Sequence, residues 1–459
     1  MQGLAKAFQS KTCGGSVPNS YVLKSGTIVN EGNRIEGDIA IDDFGRISQI
    51  GGTATAKCEI DVAGSWILPG MIDDQVHFRE PGMEHKATIA TESRAALAGG
   101  ITSYMEMPNC IPQTINRSRL LDKHDRASKR SLANYGFYLG ATNDNLEDIK
   151  SVDQEKACGV KVFMGASTGN MLVDDLQTLE GIFASCPLVI ATHCEDTPTI
   201  LENEAAARER FGANAPPEIH ARVRSAEACL KSSSLAVDLA KRLGSRLHVL
   251  HLTTAIEMDL FDTGPIESKR ITAEVCIHHL YFNSDSYQTK GADIKCNPSV
   301  KSPADQLALQ AALDEDRIDV IATDHAPHTQ QEKQLPFLDA PAGVPLVEFA
   351  MPCVLEFVKN GTYKLEHIVQ KVAHAPARLF EVKERGFLRE GYWADIVVVN
   401  PNRATNVGES VLHSKCGWSP FTGTSFSTQV TDTFVNGNLM YSRGEFLSDK
   451  CGMALQYNR

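Results

Sequence analysis

Short apolar runs alternate with amphipathic runs through the middle of the chain. The clearest are "GITSYMEM", "NYGFYLGAT", "GVKVFMG", "CPLVIATHCE", "RLHVLHLTT" and "IDVIATDH". They are rich in β-branched or aromatic residues and too short to be buried helices, so they predict strands. Eight such runs end near Phe78, Met107, Thr142, Met164, Glu195, Thr254, Phe282 and His328. Between most of them lie stretches of helical length. Two of these, "KATIATESRAALAGG" and "AEACLKSSSLAVDLAKRLG", stop at glycine, a common helix terminator. Strand and helix alternating eight times predict an α/β fold, a (β/α)8 TIM barrel of parallel strands.

The flanks carry a different pattern. Residues 21–64 and 386–446 hold short strands and turns without helices, including "IAIDDFGRISQIGG" and "GFLREGYWADIVVVN". Asn436-Gly437 between alternating residues is a strong hairpin signal. The two flanks are expected to pair into one small β-sandwich domain. The predicted organisation is an N-terminal extension at 1–20, the first part of the sandwich at 21–67, the barrel at 68–383 and the rest of the sandwich at 384–459.

Composition narrows the function classes. A chain of 459 residues, 42% hydrophobic, is long enough for a large enzyme domain with a smaller companion. The net charge of −12, without a basic block, argues against a nucleic-acid surface. No apolar run is long enough to span a bilayer, and the first twenty residues hold no apolar signal core. A soluble protein of the cytoplasm, with no membrane partner, is the simplest expectation. The twelve cysteines are spread singly and form no CxxC pair, so they predict reduced, buried small residues rather than a zinc ribbon or a disulfide framework.

In a parallel barrel, chemistry sits at the C-terminal ends of the strands. Near the end of the first run, "IDDQVHFREPG", the extended-strand period places Asp73, Gln75, His77 and Arg79 on one face and Asp74, Val76 and Phe78 on the other. Asn109 follows the second run, and Lys161 lies in the fourth. His193 ends the fifth, His251 the sixth, and Asp324 with His328 the eighth. Singly, each has a plain structural reading, and His248, His278 and His279 keep theirs. Jointly, the convergence on one end of one barrel points to a site.

Neutral imidazoles and carboxylates suit zinc or a similar divalent ion. Lys161 is out of place among cations unless its amine has reacted with CO2, giving a carbamate that can bridge two ions. A hydroxide held by the metal would be a nucleophile at neutral pH. Asp324 could take that water's proton and return it to a leaving nitrogen, as a general acid/base. The set describes hydrolysis, or reverse formation, of an amide bond in a small molecule.

These segments, with "MEMPNCIPQT", "GVKVFMGASTGN", "THCED", "TAEVCIHHL", "KCNPSVKS" and "TDHAPHT", resemble the dihydroorotases of the amidohydrolase superfamily over nearly the whole chain. The resemblance implies interconversion of N-carbamoyl-L-aspartate and L-dihydroorotate in pyrimidine synthesis. It implies that His77, Lys161, His193, His251 and Asp324 ligate one or two Zn2+ ions bridged by carboxylated Lys161. It implies that Arg79, Asn109 and His328 grip the substrate carboxylate, that Asn297 meets the ring amide, and that the backbone at Gly343 lies close by. A homodimer is expected by analogy, and association with other pyrimidine enzymes is compatible with it.

The chain departs from the commoner family form at Gln75, where histidine is usual, and at Lys301, where arginine is frequent. Gln75 could be a weak ligand, a hydrogen-bond partner of a bound water, or a sign that one ion is loosely held. Some dihydroorotases carry this same form. Two alternatives remain open: a catalytically silent dihydroorotase-like subunit supporting an enzyme such as aspartate transcarbamoylase, and a sister cyclic amidase acting on allantoin or a hydantoin.

Overall fold

The computed structural model describes residues 19–165, 171–409 and 412–459. The expected extension at 1–20 lies outside the described residues as far as residue 18. Eight parallel strands form the barrel: Met71–Val76, Ile101–Glu106, Asn134–Gly140, Ala157–Phe163, Ile190–His193, Leu247–Val249, Ile271–Cys276 and Val320–Ala322. Each pairs with the next in sequence. The circle closes where Val76 bridges in parallel to His325, and the His77 N–H donates to the His325 carbonyl at 2.7 Å. Side chains on both faces of these strands are buried, which is why the sequence runs are continuously apolar rather than alternating.

The helices end where local chemistry stops them. Helix Ile89–Ala98 starts in a capping box of Thr88 and Thr91 and stops at Gly99. Helix Ala226–Leu243 is capped by Ser225 and ends at Gly244, whose φ of +73° suits glycine.

Two local expectations change. The seventh apolar run was expected to be strand as far as Phe282, but the strand stops at Cys276 and Ile277–Tyr281 forms a short helix. Periodicity cannot separate these states in so short an apolar run. In the first strand, Asp73 pairs with Tyr104 while Val76 pairs with Glu106, so one extra residue is bulged out. The bulge breaks strict alternation. Asp74 does not lie on a face away from the site. It reaches across the barrel interior to His248 of the sixth strand, at 3.3 Å.

Both chain ends build the second domain. Its nine-stranded sheet runs from the edge strand Ile47–Ile50 through Asn33–Asp42, Asn19–Asn30, Trp66–Pro69, Ile396–Asn400, Gln429–Val435 and Asn438–Ser442 to Glu445–Phe446. It forks at Asn19–Asn30, whose first half pairs with Cys58–Asp61 and whose second half pairs with Trp66–Pro69. Leu23, Ile39, Ile67, Ile396 and Phe434 share a core of its own. The hairpin turn is Asn436-Gly437, with φ of +51° and +74°, as a type I′ turn requires. The eleven described cysteines are all free. Among the described residues, no helix is long and apolar enough to cross a membrane.

Candidate active site

The barrel's C-terminal mouth holds a cavity of about 240 Å³, and every residue singled out for the site lines it. Gln75, His77 and Arg79 come from the first strand and the loop after it; Asn109 follows the second and Lys161 lies on the fourth. His193 and His251 come from the fifth and sixth, and Asp324 and His328 from the loop after the eighth. Asn297 and Gly343 arrive on longer loops. Three of the strand-end residues sit in left-handed backbone: Arg79 at φ +67°, His251 at +41° and Asp324 at +50°. Non-glycine residues held this way cost on the order of 1–3 kcal/mol each and persist only where surrounding bonds enforce them. Here the His251 N–H donates to Glu274 Oε1 at 2.9 Å. Thr323, just before Asp324, donates from Oγ1 to Asp73 Oδ2 at 2.6 Å.

At one end of the cavity, donors converge without partners of their own. His193 Nε2 donates to Glu195 Oε2 at 2.9 Å, which leaves a lone pair on Nδ1, 3.0 Å from His251 Nε2. Two nitrogens bound at about 2.0–2.1 Å to one tetrahedral zinc stand roughly 3.3 Å apart, so the pair fits a shared ion. Burial lowers both histidines' proton affinity and keeps them neutral, the form that ligates. Burial would raise the Glu195 carboxyl, but Arg224 and His193 outweigh it and hold it at about 2. Glu195 therefore fixes the His193 tautomer, as carboxylates behind metal-binding imidazoles do. Glu195→Gln should weaken metal affinity by about 10- to 100-fold without unfolding the protein. Chelator competition on the folded variant checks this, and unchanged affinity would remove the orienting role.

Lys161 is 1% exposed, and its Nζ has no hydrogen-bond partner. The nearest described feature is the Phe163 ring, 4.7 Å away. Burial pulls its pKa down to about 8, so a substantial share of the amine is uncharged at neutral pH. An uncharged, orphaned amine between His193 and Asp324 is the chemical form that CO2 addition needs.

His77 Nδ1 lies 2.8 Å from Asn109 Oδ1, and its Nε2 lies 3.0 Å from Asp324 Oδ1. With the ring proton donated to Asn109, a lone pair and a carboxylate face each other, and only a proton or a cation reconciles them. Burial opposes ionisation of Asp324, but His77 and its other cationic neighbours win, and its carboxyl stays below the ordinary value. An ionised carboxylate only accepts, so Gln75 turns its Nε2 toward Asp324 Oδ1, at 3.1 Å. In this arrangement Gln75 supports Asp324 and leaves its own oxygen facing Cys276, 3.9 Å from the sulfur.

The other end of the cavity is cationic. Arg79 is 8% exposed, and among the described residues no carboxylate lies within salt-bridge distance of it. Its Nε donates to the Pro327 carbonyl at 3.1 Å. Lys86 Nζ donates to His328 Nδ1 at 3.0 Å, which places the His328 proton on Nε2, where it meets the Ala342 carbonyl at 3.1 Å. The Arg79 Nη2 sits 3.2 Å from that same nitrogen, which has no lone pair to accept it. Burial pushes Arg79 down to about 10, still charged. Burial also depresses His328, reinforced by Arg79, Lys86 and Lys333. An unpaired buried guanidinium in a positive field is a seat for an anion. Asn297 adds an unpartnered buried Oδ1. Gly343, at φ +140°, has no room for a side chain, because a Cβ would stand 2.4 Å from the Ala326 carbonyl oxygen.

Several contributors escaped the sequence reading. Glu195 stood in "THCED" beside a chosen histidine, and its i+2 spacing is the one signal that could have found it. Arg224, Lys86 and Lys333 reach the site from elsewhere and leave no local pattern. His248 was read as structural, and it joins Asp74 and Glu274 in a buried cluster inside the barrel.

Residues 66–440 match the Amidohydrolase family. A dihydroorotase of Halobacterium salinarum is 34% identical over 389 residues, covering 84% of this chain and 89% of that one. An allantoinase of Bacillus velezensis is 30% identical over 433 residues, covering 92% and 94%. Among solved structures, the L-hydantoinase (dihydropyrimidinase) of Arthrobacter aurescens superposes with a TM-score of 0.89 at 26% identity, over 95% of this chain and 100% of that one.

Proposed function

This chain belongs to the amidohydrolase family, and we propose that it is a dihydroorotase, interconverting L-dihydroorotate and N-carbamoyl-L-aspartate. The observation that carries the choice of substrate is Arg79, buried and without a carboxylate partner at the cationic end of the cavity. Allantoin and hydantoin rings bring no carboxylate and would leave that charge unanswered. Dihydroorotate brings one.

In this reading Arg79 binds the substrate carboxylate through its planar fork, with Lys86 and Lys333 supplying field from behind. Asn297 Oδ1 accepts a ring N–H, and the Gly343 backbone closes over the ring. His193, His251 and Lys161, the last as its carbamate, would hold a divalent ion of the zinc class, and His77 with Asp324 would face it or a second ion. When bound, the ion supplies Lewis acidity to the amide carbonyl and lowers the pKa of water to roughly 7. In the hydrolytic direction Asp324 takes the proton from the attacking water. Asp324 then delivers it to the ring nitrogen as the amide C–N bond breaks. In the synthetic direction the same carboxylate accepts the ureido proton and returns it to the departing oxygen.

Gln75 leaves His193, His251 and Lys161 untouched, which supports an active enzyme over a silent subunit. The test is turnover by the purified, zinc-loaded protein of dihydroorotate, allantoin and hydantoin in parallel. Dihydroorotate should be the preferred substrate. No turnover of it would refute the proposal, and preference for allantoin or hydantoin would replace it with the sister activity.

A further inference from the structure

We propose that Cys276, His278 and His279 form a second cation site, separate from the Lys161 set, that takes a soft divalent ion of the zinc class. The three side chains leave the end of the seventh barrel strand and the first turn of the helix that follows. Each offers one ligand atom, and the three atoms lie within 4.8 Å of one another. All three residues are buried. One sulfur and two imidazoles are a donor set that favours zinc over magnesium or calcium, which prefer oxygen.

The hydrogen-bonding points the same way. Buried polar atoms are normally paired. His278 makes no hydrogen bond through either ring nitrogen, although the Thr323 carbonyl lies nearby. His279 donates from Nε2 to the Pro298 carbonyl at 3.0 Å, which places its lone pair on Nδ1, and that atom has no partner. A backbone carbonyl behind one ring nitrogen and a bare lone pair on the other is the arrangement of a metal-ligating imidazole. The two rings stand 4.0 Å apart between centroids, so both can serve one ion.

A fourth donor is at hand. Gln75 gives its Nε2 to Asp324, so its Oε1 faces Cys276 at 3.9 Å from the sulfur. Glu274 Oε1 lies 3.5 Å from the same sulfur. The glutamine that removes a donor from the His77 side thus presents an oxygen to this one. The site differs from the Lys161 set in one decisive respect, which is its thiolate.

That difference makes the test independent of the proposed activity. The full-length protein, stripped of metal, is loaded with cobalt(II) alone. The wild type should show a thiolate-to-cobalt charge-transfer band and bind one equivalent more than Cys276→Ser, which should lack the band. His278→Asn keeps the thiol and should weaken the band's saturation by tenfold or more. Anomalous diffraction at the zinc edge on wild-type crystals should place a peak at bonding distance from Cys276 Sγ. The absence of any thiolate band in the wild type overturns the proposal whether or not the variants fold. Equal stoichiometry and an unchanged band in Cys276→Ser also overturn it, as does density without an anomalous peak at Cys276. Failure to turn over dihydroorotate would leave each of these readings unaffected.

Discussion

Asp324→Asn should lower kcat by about 10²- to 10⁴-fold, the range general acid/base catalysis contributes, while the protein stays folded and keeps the metal held by His193, His251 and Lys161. Asparagine is the informative replacement. It tolerates the left-handed backbone that Asp324 adopts at φ +50°, where alanine adds strain. It can still meet Gln75 and His77, and it cannot carry a proton between water and nitrogen. The pH profile supplies a second check. The Asp324 carboxyl is held below its ordinary value, so it is ionised throughout the neutral range. The hydrolytic rate should therefore lose its base only on the acid side, well below neutrality. Measured kcat, zinc content and melting temperature together decide. A variant that keeps its metal and its rate would show that Asp324 is not the proton carrier.

Arg79→Met should reduce kcat/KM for dihydroorotate by about 10²- to 10³-fold, because removing one partner of a buried ion pair costs about 3–5 kcal/mol. Most of the loss should appear in KM, since the substrate carboxylate is distant from the bond that breaks. The ligand-free protein should behave in the opposite sense. Its buried guanidinium has no carboxylate partner among the described residues, so methionine relieves an uncompensated charge and the melting temperature should hold or rise. A substrate ring without a carboxylate should be affected little. Normal binding of dihydroorotate by the variant would remove Arg79 from recognition and, with it, the reason for preferring this substrate.

The barrel was legible because both faces of its strands are buried, so each strand prints a continuous apolar run and each helix a separate amphipathic one. The site was legible for a related reason. A barrel confines chemistry to one end of its strands, so His193, His251 and Lys161 could be picked out by position along their runs. The two-ended second domain followed from strand patterns without helices and from Asn436-Gly437.

What the chain alone could not supply was anything made by groups distant in sequence. Strand alternation put Asp74 away from the site, and a bulge turned it into the barrel interior toward His248 and Glu274. Three readings of Gln75 stood open. The tertiary structure turned its amide nitrogen to Asp324, 249 positions away, and its oxygen to Cys276, 201 positions away. Arg79 was recognisable as a charge in a motif, but only the folded cavity showed that it lacks a carboxylate partner. Residue types and their period along one strand are local properties, written in order along the chain. The protonation of Lys161, the tautomer of His193 and the free valence of His278 depend on which atoms burial brings together, and that is decided only when the strands close.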